Sequence, residues 1–211
     1  MRFRKRDVLQ FGASLLIGSG AAFAFQYFRP IGERVGGSPT IEGILADPDA
    51  PRIGPAAPAL TIVVFSDYDC PVCRQSYDAM REALAGRRDV RIMFKEWPVL
   101  GPNSERAARV ALAADRQGIY AAFHERLMRR QGRIDDNLLR MAVEGAGGDW
   151  ARIESDLAAN APAIDRALAR NATEAFALGL SGTPAYLIGP LLVRGGLNEA
   201  GFRQAFRDAK R

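Results

Sequence analysis

The sequence predicts an α/β fold in which a central apolar strand leads directly into a helix. Residues 59–66 form a continuous apolar run bounded by Pro58 and Asp67, which is typical of a strand buried on both faces. The residues that follow change to helical spacing, and two short apolar runs near the C-terminus predict a β-hairpin. With 211 residues, of which 48% are hydrophobic, the chain has room for one sizeable core. We therefore expect one domain with an insertion.

The first half of this domain predicts a strand, a helix and a second strand. After the strand at 59–66, one face of a helix is marked by apolar and aromatic side chains at steps of four, three and four: Cys73, Tyr77, Met80 and Leu84. Gly86 ends that helix, and residues 90–97 form the second strand, which Pro98 stops.

The second half begins with a block that is entirely helical, from Ser104 to about residue 160. Ser104 is a candidate cap for its first helix, and glycines divide the block into four helices. Pro162 begins a further helix, residues 185–188 and 191–194 form the hairpin, and a final helix starts at Asn198. Without the block, the order is β-α-β-α-β-β-α, which is the thioredoxin arrangement. The sequence therefore predicts a thioredoxin-like fold over residues 59–211, with an inserted helical subdomain at about 104–160.

The N-terminal residues differ in character from this domain. A cationic start, from Arg2 to Arg6, precedes 21 uncharged residues, 8–28, which as a helix of about 30 Å would be long enough to cross a bilayer core. Residues 1–30 are therefore expected to be a signal peptide or a membrane anchor; Ala22-Phe23-Ala24 resembles a cleavage site. We expect a periplasmic or exported protein, with residues 8–28 as the tether if they are retained. Residues 31–58, rich in Gly and Pro, are interpreted as a linker or surface arm.

The charge distribution argues against a nucleic-acid partner. The formal net charge is +5, but residues 1–30 hold five of the 29 basic residues and one of the 24 acidic residues. The remainder is close to neutral, so it offers no basic surface for a phosphate backbone.

The two cysteines of the chain, Cys70 and Cys73, form a CxxC motif directly after the first strand. Cys70 would lie at the first turn of the helix, where unpaired N–H groups and the helix dipole favour a thiolate. Pro71 suits that turn because its missing N–H costs no helical hydrogen bond. Cys73 falls one turn deeper on the same face. This pattern predicts redox chemistry with Cys70 as the exposed nucleophile and Cys73 as the resolving thiol.

Three other interpretations of the motif stay open at this point. A purely structural disulfide is disfavoured, because so short a loop contributes only about 2 kcal/mol. A CxxC pair could hold Cu(I), whereas tetrahedral zinc would need two further ligands that the sequence does not suggest. The chain could also be a non-catalytic thioredoxin-like interaction module.

Four segments carry a resemblance to a known family. Residues 65–74 (FSDYDCPVCR), 44–51 (ILADPDAP), 95–102 (KEWPVLGP) and 182–185 (GTPA) resemble segments of the DsbA-like thiol–disulfide oxidoreductases. The resemblance covers about residues 41–211 and is closest to the branch with the suppressor-of-copper-sensitivity and Com1-like proteins.

This resemblance implies an enzyme that exchanges disulfides with proteins and needs no cofactor or metal. Pro184 would be cis and face the CxxC, and Thr183 would present backbone groups to a substrate chain. The implied partners are exported proteins that contain cysteine and a membrane or periplasmic redox partner. Val72 departs from the best-known oxidant of the family, which has His at that position. The pKa of Cys70 should therefore be less depressed than the value of about 3.5 given for DsbA, and lie between it and the value of about 7 for thioredoxin.

Five other titratable positions are weaker candidates. Lys95 and Glu96 end the second strand, where one of them could tune or relay a proton, although a solvated strand end is an equally good interpretation. Asp67 and Asp69 precede the motif and would raise the pKa of a thiol if they came close. His124 is interpreted as a packing or surface residue.

Overall fold

The computed structural model describes residues 31–210, which contain six strands and eight helices. The predicted signal or anchor segment, residues 1–30, lies outside the described residues. The strands are β1 (Glu33–Arg34), β2 (Arg52–Ile53), β3 (Leu60–Ser66), β4 (Val90–Glu96), β5 (Ala185–Ile188) and β6 (Leu191–Arg194). The helices are α1 (Pro39–Ala46), α2 (Pro71–Ala83), α3 (Pro102–Arg116), α4 (Tyr120–Met128), α5 (Asp136–Gly145), α6 (Trp150–Ala159), α7 (Ala161–Ala177) and α8 (Glu199–Asp208).

The six strands form one mixed sheet in the order β1-β6-β5-β3-β4-β2. Strands β3 and β4 are parallel, with Val63 opposite Met93, whereas β5 runs antiparallel to β3 with Leu187 opposite Val63. The β5–β6 hairpin turns at residues 189–190, as the sequence predicts. The central strand β3 is buried along almost its whole length, which explains its continuous apolar sequence.

Helices cover both faces of the sheet. On one face, Val63 and Phe65 of β3 belong to a core cluster that also contains apolar residues of α1 and α7. The other face bears α2 and α8, and there Tyr186 of β5 packs edge-on against Phe202 of α8. These layers confirm the thioredoxin-like architecture predicted from the element order.

The segment 31–58 differs from the linker or surface arm expected from its Gly and Pro content. It supplies a strand at each edge of the sheet and the helix α1, which Ser38 caps through its side chain. Ile44 of α1 is completely buried in the core cluster. Gly54 permits close approach of two chain segments here: a Cβ at this position would lie 2.2 Å from the carbonyl oxygen of Val90. The segment is therefore part of the packed domain.

The helical insertion consists of α3 to α6 and begins slightly before the predicted position. Helix α3 starts at Pro102 after Gly101, which has a positive φ of 109°. Ser104, the predicted cap, lies inside the first turn instead. Its hydroxyl donates a 2.6 Å hydrogen bond to Asp67 in the loop that precedes Cys70.

A buried ion-pair network, centred on Lys95, joins the sheet to α1 and α7. The Lys95 ammonium lies 2.5 Å from Asp47 and 2.7 Å from Glu174, and its side chain is fully buried. Arg170 of α7 contacts the same Asp47 carboxylate at 3.0 Å. Burial by itself would raise the pKa of Asp47, but the hydrogen bond and charge of Lys95 hold it below its usual range. Lys95 is thus a structural ion-pair residue and not the solvated strand end that its position suggests.

A second buried polar cluster lies where the helical insertion meets the sheet. Glu96 accepts hydrogen bonds from the hydroxyls of Tyr68, at 3.0 Å, and Tyr120, at 2.5 Å. His124 Nδ1 lies 2.8 Å from the Tyr68 hydroxyl and 3.2 Å from that of Tyr120. All four side chains are buried, so His124 is a packing residue, as the sequence indicates. The cluster anchors Tyr68, two residues before Cys70.

Burial sets the protonation of this cluster. Loss of solvent raises the pKa of Glu96 to about 8, although the two tyrosine hydroxyls lower it in part. Burial also lowers the pKa of His124 to about 3. Glu96 Oε2 has no hydrogen-bond partner among the described residues. The protein therefore replaces only part of the water that this carboxyl group loses on burial.

Replacement of Lys95 by Met should destabilise the fold strongly. Without the ammonium group, Asp47 and Glu174 would face each other across a buried site, which costs about 3–5 kcal/mol in the free energy of unfolding. Urea unfolding at neutral pH measures this loss. Arg203→Met, which breaks an exposed pair with Glu199 on α8, is the control and should cost at most about 1 kcal/mol. Equal losses in the two variants would contradict the assignment.

Replacement of Glu96 by Gln should change how stability depends on pH. Between pH 4.5 and about 8, folded Glu96 retains a proton that the unfolded chain has released, so its contribution to stability falls as pH rises. Gln mimics the protonated form, and the variant should therefore gain about 1 kcal/mol relative to the parent chain between about pH 7 and 8.5.

Urea unfolding of both chains across that interval gives the difference directly, and contributions from other titrating groups cancel in it. Glu105→Gln, which alters a carboxylate with an exposed side chain on α3, is the matched control and should show no such trend. A difference between the Glu96 variant and the parent that does not change with pH would show that Glu96 does not titrate in this range.

Candidate active site

The two cysteines lie at the start of α2, directly beyond the end of β3. Cys70 is the N-cap of the helix, Pro71 is its first residue, and the Cys73 N–H donates a 3.3 Å hydrogen bond to Cys70 Sγ. Both cysteines are free thiols, and 6% of Cys70 and 2% of Cys73 is exposed. Cys70 is therefore the more accessible of the two, as the helical spacing predicts.

The surroundings favour a thiolate at Cys70. The hydrogen bond to the Cys73 side chain, helped by backbone N–H groups at the helix start, lowers the pKa of Cys70 to about 6 against the opposing effect of burial. The same hydrogen bond, together with burial, raises the pKa of Cys73 well above its ordinary value. The pKa of Cys70 lies between the values of about 3.5 and 7 that bracketed our expectation.

The Thr183–Pro184 segment faces the motif. The peptide bond between these two residues is cis, and the Thr183 carbonyl oxygen lies 3.5 Å from Cys70 Sγ. Pro184 is buried, and its own carbonyl accepts a hydrogen bond from the Gly195 N–H. The chain thus places Thr183 and Pro184, which are more than a hundred residues from the CxxC in sequence, directly beside it.

The loop after β6 contains Gly195 and Gly196 and also borders the motif; we call it the glycine loop. A Cβ on Gly196 would lie 2.7 Å from Val72 Cγ1, so a side chain there would have to displace Val72. Ser76 of α2 holds the same loop through hydrogen bonds with both the N–H and the carbonyl of Leu197. Val72 itself remains 48% exposed. The two cysteines consequently lie next to the exposed Val72 side chain, the glycine loop and the cis proline.

Asp67 organises the loop that leads to Cys70. Its buried carboxylate accepts hydrogen bonds from the Val99 N–H, the Leu100 N–H, the Ser104 hydroxyl and the Asp69 N–H, at 2.6–3.0 Å. The sequence suggested only a turn residue that could raise the pKa of a nearby thiol. The structure shows that this carboxylate holds both the loop after β4 and the first turn of α3 against the loop that leads to Cys70.

Arg130 is an active-site neighbour that the sequence analysis missed. It follows α4, and its guanidinium donates to the Tyr68 carbonyl oxygen at 2.6 Å and to Asp69 at 2.7 Å. In a chain with 29 Lys and Arg residues, nothing in the sequence distinguishes this arginine from those on the surface. Of the weaker candidates, Glu96 lies behind Tyr68 in the buried cluster, and Lys95 belongs to the network with α1 and α7.

Within residues 31–210, no group of three or more His, Cys, Asp and Glu side chains has an arrangement suited to a metal ion. None of the helices in that range has the length and apolar character needed to cross a membrane.

Among curated proteins, the sodium/proton antiporter NhaA 1 of Salinispora arenicola is 30% identical over 155 residues, or 70% of this chain. The match spans 24% of that protein, so the chain corresponds to about a quarter of the length of the curated relatives it matches.

Solved structures show the same fold over most of the chain. A thioredoxin-like oxidoreductase from Silicibacter pomeroyi DSS-3 is 32% identical with a TM-score of 0.75, covering 80% of this chain and 96% of that one. A periplasmic thioredoxin-like protein from Salmonella enterica serovar Typhimurium is 29% identical with a TM-score of 0.69, covering 83% and 98%. The catalytic domain of Proteus mirabilis ScsC shares the fold at 23% identity and a TM-score of 0.71, covering 81% and 95%.

The family model of DSBA-like thioredoxin domains matches residues 61–207, from the central strand to the last helix. This range includes the CxxC, the helical insertion and the cis proline. It confirms the resemblance found in the sequence: the chain belongs to the DsbA-like family of thioredoxin-fold thiol–disulfide oxidoreductases.

Proposed function

We propose that the protein exchanges disulfides with protein substrates through the Cys70–Cys73 couple. The observation that carries this proposal is the hydrogen bonding of Cys70 Sγ at the N-terminus of α2, which favours its thiolate near neutral pH. Membership of the DsbA-like family supports the same activity.

The reaction follows from the two thiols' different environments. The Cys70 thiolate attacks one sulfur of a substrate disulfide, the substrate S–S bond breaks, and one substrate thiolate leaves and takes up a proton. The remaining mixed disulfide joins Cys70 to the substrate. Cys73 then loses its proton and attacks Cys70 Sγ, which releases the second substrate thiolate and leaves the CxxC oxidised. In the opposite direction, the same steps oxidise a substrate dithiol.

The order of attack depends on the hydrogen bond between the cysteines. While Cys70 is a thiolate, its charge and hydrogen bond keep Cys73 protonated. Once Cys70 is bonded to a substrate sulfur, that charge is gone, and the main cause of the raised pKa of Cys73 is removed. Cys73 is therefore activated as a nucleophile only when there is a mixed disulfide for it to resolve.

The substrate chain would bind beside Thr183 and Pro184. Thr183 brings main-chain groups to the side of Cys70, where an extended peptide can pair with them as an added strand. The exposed Val72 side chain would contact residues next to the substrate cysteine.

We further infer that the protein works after export and on exported proteins that contain cysteine. The cationic start followed by 21 uncharged residues, 8–28, supports export and offers a tether to the inner membrane if it is retained. A redox partner in the membrane or the periplasm would then restore the active form of the CxxC. The similarity to a periplasmic thioredoxin-like protein supports this location.

The Cys73→Ser variant should accumulate covalent complexes with its substrates. Cys70 can still attack, but nothing resolves the mixed disulfide, so we expect products of higher mass on gels run without reductant that disappear when reductant is added. The Cys70→Ser variant is the matched control and should form none. Exchange activity that persists undiminished in Cys70→Ser would refute the proposal, and a tight 1:1 copper complex without any exchange would favour the metal-binding interpretation.

Replacement of Val72 by His should make the couple more oxidising. A cationic imidazole beside the Cys70 sulfur would lower the pKa of that thiol by about one unit, which corresponds to about 30 mV in the reduction potential. Equilibration with glutathione buffers measures the potential. Val72→Leu, which keeps the side chain apolar, should leave it unchanged; a Val72→His variant with the parent potential would show that position 72 does not control the thiolate.

A further inference from the structure

Arg130 is buried beside the active-site loop although it carries a full charge. Only 4% of its side chain is exposed, and among the described residues its ion pair is with Asp69, at 2.7 Å. Its Nε has no hydrogen-bond partner within residues 31–210, so the loss of water around the guanidinium is incompletely offset. A buried ion pair of this kind contributes little net stability. Stability alone therefore does not explain why Arg130 is buried at this place.

Besides the Leu127 carbonyl oxygen on α4, Arg130 binds the two residues immediately before Cys70. One guanidinium nitrogen donates to the Tyr68 carbonyl oxygen and another to the Asp69 carboxylate. The Cys70 N–H in turn bonds to the Asp67 carbonyl oxygen. Arg130 therefore fixes both the path of the chain that enters Cys70 and the direction in which the Asp69 carboxylate points.

The charge of Asp69 makes this contact relevant to the chemistry. A carboxylate next to a cysteine in sequence opposes ionisation of the thiol when it is unpaired and turned towards the sulfur. Arg130 both neutralises that carboxylate and holds it on the side of the helical insertion. Arg130 comes from the end of α4, so the contact also joins the insertion to the CxxC.

We propose that Arg130 is a positioning residue for disulfide exchange, which pairs with the Asp69 carboxylate and holds its charge away from the Cys70 thiolate. This inference rests on the proposed function of the CxxC. It assigns to the helical insertion a direct part in that function.

Other charged and titratable groups meet at the same place. The elements around the motif carry Asp67 and Asp69 before it, Cys73, Arg74 and Tyr77 on α2, Glu96 on β4, His124 and Arg130 from the insertion, and Tyr186 on β5. The test must therefore separate Arg130 from the general charge of the site.

The experiment compares Arg130→Met, Asp69→Asn and the double variant with the parent chain. Arg129→Met is the matched control, because Arg129 is the adjacent residue with a 54% exposed side chain that pairs with Asp78 and Glu125, away from the loop. Two quantities are measured on each full-length chain: the thiolate fraction of Cys70 against pH, from its ultraviolet absorbance, and the reduction potential against glutathione. Urea unfolding is recorded in parallel.

The Arg130→Met variant should lose thiolate at Cys70 by about threefold to tenfold below neutral pH and become less oxidising, since Asp69 is then unpaired. The double variant, which removes both charges, should recover most of that loss. Arg129→Met should match the parent chain. An Arg130→Met chain that unfolds more easily but keeps the parent thiolate fraction and potential would overturn the proposal, because packing alone would then explain the residue.

Two further outcomes keep the test decisive. Where Arg130→Met does not fold, Asp69→Asn decides: it leaves a bare positive charge at the loop, so the thiolate fraction should rise, and an unchanged fraction would count against the proposal. Absence of exchange in the parent chain and in Arg129→Met would refute the proposed function. The thiolate titration would still report whether Arg130 holds the Asp69 charge away from Cys70.

Discussion

The hydrogen bond from the Cys73 N–H to Cys70 Sγ is the contact on which the site depends. It exists because Cys70 occupies the N-cap of α2, where the first N–H groups of a helix have no intrahelical partner. Pro71 at the first helical position fixes the backbone of that turn. A serine or aspartate would normally fill such a cap. Here a sulfur takes the place of the capping oxygen, so the same interaction stabilises both the helix start and the ionised form of Cys70.

The rest of the structure holds the loop that delivers this sulfur. Asp67 ties it to the segment after β4 and to α3, the Tyr68 hydroxyl enters the cluster with Glu96 and His124, and Arg130 binds Asp69. Three consecutive residues are therefore anchored to the helical insertion before the chain reaches Cys70. The insertion is therefore needed to hold the loop before Cys70, because without it this loop would lose most of its polar contacts.

Sequence reasoning predicted the elements whose signal is local. The strand β3, the helix after the CxxC, the helical insertion and the β5–β6 hairpin all follow from apolar periodicity and from Gly and Pro positions, and the structure confirms them. The cis bond before Pro184 is present where the family resemblance implies it. Local sequence did not predict the role of Ser104. It has the residue type of a helix cap, but its hydroxyl bonds to Asp67, 37 residues away. The burial of Lys95, Glu96 and Arg130 could not be predicted either, because burial of a charged group depends on partners that are distant in sequence.

The two-residue strands from the segment 31–58 have a consequence for the proposed exchange with protein substrates. Strand β1 pairs with Leu191 and Leu192 of β6, and β2 pairs with Ile92 and Met93 of β4, so part of each outer border of the longer strands is covered. An exposed strand border invites any extended polypeptide to add to it. Where these short segments cover the border, a substrate chain of the proposed reaction could not add to the sheet as a further strand. Under the proposed function, main-chain recognition would occur next to Thr183, where a bound chain would lie close to Cys70 Sγ.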